Sequence, residues 1–333
     1  MVKGNILILI SSIFILSCTT HEQYITYSGF TQGTTWQVKF NGSDKISQAD
    51  IEKILQEADS NFSIYNKNSL ISEINNNEQH RVTQHFDSLF FLSEKVWKLS
   101  NGFFDITVGP LVKYWGFGPP GTEMKDSTGV DSLLIICGMN KLKIENNQVI
   151  KSSPQMYIDM NAIAQGYTVD MVSDFLEGKG IENYLVEIGG EVRAKGINAK
   201  AKSWQIGIDS PVAGSDETDR ELQEIVSVSG FSLATSGSYR KFIMKDGIMY
   251  SHTIDPHSGY PSHHNLLSVT IIAASCAESD AIATAIMAMG METGKDFLKN
   301  HQQYEGYFIF SDSTGKYAVW MTDGFKKIVS GKE

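Results

Sequence analysis

Apolar residues recur along this chain with two different periods, and each period marks out its own elements. Ile51, Ile54, Leu55, Ala58 and Phe62 fall three to four apart, which predicts an amphipathic helix over Gln48–Asn61. A second helix is expected from Gln84 to Ser100, with Phe86, Leu89, Phe90, Val96 and Trp97 as core candidates and Gly102 just past its end. A third begins near Asn161 and stops around Gly178 to Gly180, and a helix of small residues covers Ala277–Met289. Short runs rich in β-branched and aromatic residues read as strands: Tyr184–Ile188, Trp204–Ile208, Ile225–Leu233, Phe242–Met244, Met249–Ile254, Leu267–Ala273, Gly306–Phe310 and Tyr317–Met321. Most neighbouring strands lack the spacing of βαβ units. The expected class is therefore α+β, mixed, with largely antiparallel sheets and packed helices.

The N-terminus follows neither period. Lys3 precedes an apolar run of eleven residues, Ile6 to Leu16, that ends at Ile15-Leu16-Ser17-Cys18. Such a run is too short to span a bilayer but suits the core of an export signal. The residues before Cys18 resemble a bacterial lipobox. The expectation is a signal peptide over 1–17, lipidation at Cys18, a polar tether over 18–27 and one domain over 28–333. A chain processed this way is an exported lipoprotein, anchored to a membrane and facing the periplasm.

Formal charge is −10, and −11 once Lys3 is removed, which argues against nucleic acid as a partner. An anionic ligand would need local cationic help, from a metal or a few placed basic groups. Cys137 and Cys276 give no reason to pair and read as buried thiols.

Candidate chemistry gathers in a few segments. ATSGSYRKF (Ala234–Phe242) and HTIDPHSGYP (His252–Pro261) flank a turn signal at Lys245–Ile248. A hairpin there brings Ser236, Ser238, Tyr239, Arg240, His252 and Asp255 toward one end of a sheet, a set suited to a phosphate-bearing ligand. Asp280 and Thr284 stand four apart on an apolar helix and share one face. They offer hard oxygen ligands of the kind Mg²⁺ accepts; the alternative is an Asp that caps or bonds a neighbouring loop. Asp159 precedes the helix beginning near Asn161, as a cap or beside an anion. Gly166 is costly inside that helix, so another backbone or a ligand is expected to come close. In Gly102–Gly118, Asp105 follows two Phe residues, and Trp115 and Phe117 sit in a turn-rich stretch.

Taken in order, GTTW, FSIYNKNSLISEIN, NGFFDITVGPLVKYWGFG, IDMNAIAQGYTVD, IGGE, ATSGSYR, HTIDPHSGYP and AESDAIATA resemble the ApbE-type FAD:protein FMN transferase family. The match covers about Phe30 to Gly290. The resemblance implies two fused T-fold-like halves and an enzyme that cleaves the pyrophosphate of FAD with Mg²⁺. FMN is attached through a phosphoester to a Thr or Ser of an acceptor protein, and AMP is released. It also implies acceptors among subunits of membrane redox complexes, such as sodium-pumping NADH:quinone reductase. By motif position, Gln32, Tyr65, Phe103, Phe104, Asp105, Asp159, Gln165 and Ile254 would contact FAD, with Ser236 and Arg240 nearby. Mg²⁺ would be held by Asp280, Thr284 and the carbonyl of Ala162. His252 or Asp255 is the candidate base or its orienting partner, and Arg240 or Arg193 a candidate assisting cation. Two positions depart from the family pattern: Gln165 stands where many members have Lys, and Ala283 replaces an Asp seen in some. Two other readings compete, an FAD pyrophosphatase giving FMN and AMP, and a non-catalytic flavin-binding lipoprotein.

Overall fold

Local signals start the helices where the periodicity places them. Ser47 and Asp50 form a reciprocal capping box ahead of the first helix, and Thr83 and Ser275 cap two others through their hydroxyls. The structure, a computed structural model, describes residues 23–42, 46–78, 81–118, 121–212, 221–239, 242–245 and 248–329. The first half runs β1 (Tyr24–Thr31), β2 (Thr34–Asn41), α1 (Gln48–Phe62), α2 (Leu70–Asn75), α3 (Gln84–Leu99), α4 (Gly109–Tyr114), α5 (Val130–Ile136), β3 (Leu142–Glu145), β4 (Gln148–Lys151), α6 (Asn161–Gly178), β5 (Tyr184–Ile188) and β6 (Glu191–Lys195). The second continues with β7 (Trp204–Asp209), β8 (Leu222–Val228), β9 (Phe231–Gly237), β10 (Phe242–Lys245), β11 (Ile248–Ser251), β12 (Leu266–Ala273), α7 (Cys276–Met289), α8 (Met291–Asn300), β13 (Glu305–Ser311), β14 (Tyr317–Met321) and α9 (Asp323–Lys326).

One eight-stranded sheet organises the molecule, in the order β1-β2-β5-β6-β9-β12-β13-β14, with every neighbouring pair antiparallel. The order contains a repeat. β1-β2 and β5-β6 flank α6 in sequence just as β9-β12 and β13-β14 flank α7, so two equivalent four-stranded halves meet at β6 and β9. α6 and α7 lie side by side on one face, over Val38, Val186, Val269 and Ile271 and with Phe86, Leu89 and Phe90 of α3. The ribbon β7-β8 and α9 cover the other face through Trp204, Ile208, Val226, Val228 and Phe325. Burying both faces of the central strands is what makes β12 almost continuously apolar.

Three expectations are corrected. The single strand Ile225–Leu233 is two, because Gly230 (φ 81°) turns the chain so that β8 pairs with β7 while β9 enters the large sheet. The strand expected over Met249–Ile254 ends at Ser251, and Ile254 makes only an isolated bridge to Pro261. Residues 24–27, assigned to the tether, are paired in β1, where the Tyr24 hydroxyl donates to Ile197 O. The signal peptide and Cys18 lie outside the described residues. Cys137 and Cys276 are buried free thiols.

Candidate active site at the contact of two helices

The site is built where α6 crosses α7. A Cβ on Gly166 would overlap the carbonyl oxygen of Cys276 and stand 2.9 Å from Ala277 Cα, so glycine lets the two helix backbones touch. The close backbone expected at Gly166 is thus α7 itself. At this crossing Asp280, 6% exposed, accepts a hydrogen bond from Gly166 N–H at 3.1 Å. In a helix the N–H of residue 166 faces the carbonyl of residue 162, so Asp280 reaches the same helical step as Ala162 O. Burial lifts the Asp280 carboxyl from 3.8 to about 7, opposed only by that one N–H. One turn on, Thr284 Oγ1 lies 3.0 Å from Ser236 Oγ of β9. Asp280, Thr284, Ser236 and the Ala162 step therefore converge, and all four were named from sequence.

A second acidic residue anchors the same crossing. Asp170 of α6 accepts from Cys276 N–H at 3.0 Å and Ala277 N–H at 2.9 Å, capping α7, and pairs with Arg193 Nη1 at 3.0 Å. Arg193 also binds Asp174 at 2.9 Å and Glu177 at 3.0 Å, which holds it firmly protonated. The reading of Arg193 as an assisting cation is corrected: its guanidinium is committed to α6.

Around the mouth, Gln32 occupies the two-residue turn between β1 and β2 at φ 50°, a left-handed conformation unusual for a side chain with Cβ. Its amide donates to Thr168 Oγ1 of α6 at 2.8 Å. One helical turn earlier, Gln165 donates to Ile188 O at 3.1 Å. Asp159 Oδ1 accepts from Asn161 N–H at 2.9 Å, capping the start of α6. Burial, and after it the charge of Asp159, raises the phenol of Tyr157. Tyr65 is 63% exposed and free to receive a planar ring.

Other candidates have local structural work. Phe104 is a core residue, and Asp105 accepts from Thr107 N–H (2.8 Å), Thr107 Oγ1 (2.6 Å) and Met139 N–H (2.9 Å), so its carboxylate fastens a loop. Phe103 packs edge-on against His257, centroids 4.5 Å apart. Asp255 accepts from His257 N–H (3.0 Å) and Ser258 Oγ (2.7 Å), and its Oδ1 lies 3.2 Å from His257 Nδ1. His257 Nε2 reaches Asn101 O at 2.9 Å. Asp255 is therefore not the orienting partner of His252; it closes the turn of D-P-H-S-G and ties it to the Phe103 loop. His252 is half-buried beside Phe117, centroids 6.3 Å apart. Ile254 packs with Leu111 and Trp115.

The hairpin expectation holds in part. β10 and β11 pair as expected but form their own ribbon rather than an end of the large sheet. Ser236 faces α7, while Tyr239 lines a separate cavity of about 70 Å³ with Gly189, Gly190 and Thr235. Ser238 is buried against Leu267, its N–H donating to the carbonyl at 3.0 Å. Arg240 lies outside the described residues. Sequence reasoning missed Thr168 and His257. The second could have been found from Asp-Pro-x-x-Gly, in which an Asp closes a turn onto the residue two ahead. A cavity of about 630 Å³ runs between β1 and α1 and meets the predicted FAD contacts only at Gln32; Glu52 and Asp59 line it. Its acidity makes it a poor seat for a diphosphate, and the geometry at Asp280 is the better guide to the chemistry.

The fold places the chain in a class of solved proteins. Flavin transferase ApbE from Vibrio cholerae superposes with a TM-score of 0.81 at 34% identity, over 92% of this chain and 99% of that one. The apo flavinyl transferase ApbE of Pseudomonas stutzeri gives 0.81 at 29% identity, over 93% and 98%. Among curated relatives, the FAD:protein FMN transferase of Vibrio cholerae serotype O1 is 37% identical, spanning 98% of this chain and 97% of that protein. That of Escherichia coli K12 is 31% identical over 98% and 97%. The profile of the ApbE family matches residues 32–308, and the chain belongs to that family.

Proposed function

We infer that the chain is an FAD:protein FMN transferase. The observation that carries this is the buried Asp280 beside Thr284 and Ser236 at the α6–α7 crossing, within a chain alike to flavin transferases along nearly its whole length. The reaction joins an acceptor Thr or Ser oxygen to the phosphorus of the FMN half. The P–O–P bridge breaks, and AMP leaves with the bridging oxygen. Catalysis of this kind is mainly positioning and charge neutralisation.

The residues fit Mg²⁺. Among the described residues no three His, Cys, Asp or Glu side chains are grouped so as to hold a metal ion. One buried carboxylate, a hydroxyl and a backbone carbonyl suit a hard cation that keeps several waters. Asp280, Thr284 and Ala162 O would hold it, and it would draw charge off the diphosphate when bound. Gln32, Tyr65, Asp159 and Gln165 orient FAD around α6. With Asp255 engaged in its own turn, His252 is left to take the acceptor hydroxyl's proton.

The N-terminal run and Cys18 support a lipid-anchored enzyme facing the periplasm, acting on hydroxyl-bearing subunits of membrane redox complexes. Cys18→Ser would then move the protein from the membrane fraction to the soluble one. The function is tested by incubating the enzyme with FAD, Mg²⁺ and candidate acceptors. Intact mass must rise by one FMN on a Thr or Ser, with one AMP released. FMN and AMP free in solution, with acceptor mass unchanged, would make it a pyrophosphatase; FAD binding without AMP would make it a carrier.

A further inference from the structure

Lys113 is held differently from two other half-buried lysines. Lys141 donates to Ile135 O and Cys137 O, both at 2.6 Å, and Lys151 donates to Ile74 O at 2.9 Å and to Asn75 O and Met156 O at 3.3 Å. Each of those ammonium groups bonds main-chain carbonyls and serves the fold. Lys113 makes no hydrogen bond or ion pair among the described residues. Its Nζ sits 3.3 Å from the centroid of the Tyr157 ring. A cation over a ring face is attracted to it, but the ring leaves most of the three N–H donors unsatisfied.

The arrangement is fixed by the backbone around it. A Cβ on Gly109, at the start of α4, would come within 2.7 Å of Tyr157 Cδ1 and 3.4 Å of Asp159 Cβ. Glycine there lets the Tyr157 ring and Asp159 close onto the short helix. Lys113 lies four residues further along α4, so its stem rises on the same side. Burial lowers its pKa and Asp159 raises it, while Tyr65 and Tyr157 both feel Asp159. One cation, one carboxylate and two phenols are thus gathered just ahead of α6, with an exposed Tyr65 face beside them.

We propose that Lys113 is a ligand-binding residue of this site, whose ammonium donates to an acceptor oxygen of FAD beside Tyr65, Tyr157 and Asp159. The proposal rests on the transferase reading for the identity of the ligand. The oxygen belongs either to the diphosphate or to a carbonyl of the flavin ring. Both are strong acceptors for an unmatched ammonium.

The test uses Lys113→Met, which keeps most of the stem, and Lys113→Arg, which keeps the charge. Direct FAD binding to the full chain is followed by flavin fluorescence quenching, alongside KM and kcat for transfer. Lys113→Met is expected to weaken FAD binding and raise its KM roughly tenfold or more, with partial recovery in Lys113→Arg and little change in acceptor KM. ADP and riboflavin as separate competitors assign the oxygen: the diphosphate if only ADP weakens, the ring if only riboflavin does. Wild-type affinity for FAD in Lys113→Met overturns the proposal, as does a lowered Tm with FAD affinity intact, which would mark a purely structural lysine. Failure of the wild type to label any acceptor would count against the transferase reading alone, because FAD binding is read independently.

Discussion

Asp170 and Asp280 face each other's helices across one crossing, and they are employed in opposite ways. Each is buried, and each accepts main-chain N–H bonds from the other's helix. Burial still raises the Asp170 pKa, but two such donors and the Arg193 guanidinium oppose the rise. Among the described residues Asp280 has one donor and no paired cation, and its pKa rises to about 7. Each helix of the crossing carries one buried carboxylate. What separates structural anchor from reactive group is whether the neighbouring strand supplies an arginine.

The comparison breaks most sharply at Asp280. Asp280→Ala should lower the rate of acceptor labelling about a thousandfold or more while leaving the protein folded. Near-wild-type labelling with unchanged Mg²⁺ dependence would remove the metal assignment. Asp170→Ala should act on stability instead. It uncaps α7 and takes one partner from Arg193, which predicts a loss of about 3 kcal/mol in urea unfolding. An unchanged denaturation midpoint would show that the anchor is dispensable.

Gly166→Ala probes both acids together, because the added methyl must push α7 away. A loss of about 2 kcal/mol is expected, with Mg²⁺ affinity weakened in the same variant. If stability falls but Mg²⁺ affinity does not, Asp280 does not depend on the crossing.

Titration gives a smaller effect with a definite sign. Between 3.8 and about 7 the folded protein keeps a proton on Asp280 that the unfolded chain has released. That contribution is present at low pH and is lost as pH rises toward 7. Metal-free Asp280→Asn should therefore have a higher Tm than wild type at pH 8 and a similar one near pH 4. Mg²⁺ needs the ionised carboxylate, so its apparent affinity should fall by about tenfold per unit below pH 7. Flat Mg²⁺ affinity from pH 5 to 8 would mean another group binds the ion.

Much of this was legible in the sequence because local signals agreed. The spacing of Ile51 to Phe62 placed α1 to within a residue, and Asp280 and Thr284 declared a shared face before any fold was known. β1 was hidden because half of it is exposed and its first residues adjoin the N-terminal stretch. The split of β8 from β9 was masked by one apolar run serving two sheets. The different fates of Asp170 and Asp280 were beyond sequence reading, since Arg193 meets Asp170 only through pairing of β5, β6 and α6. Asp255 misled for a related reason: a carboxylate near a histidine in sequence became the closing group of its own turn.

The most direct test of the whole account is calorimetric titration of Mg²⁺ at pH 8 into wild type, Asp280→Asn and Asp170→Asn, with FAD present. Binding should vanish in Asp280→Asn and persist in folded Asp170→Asn. Equal binding in all three proteins, or loss in Asp170→Asn alone, would contradict the seating of the metal on the carboxylate that lacks an arginine.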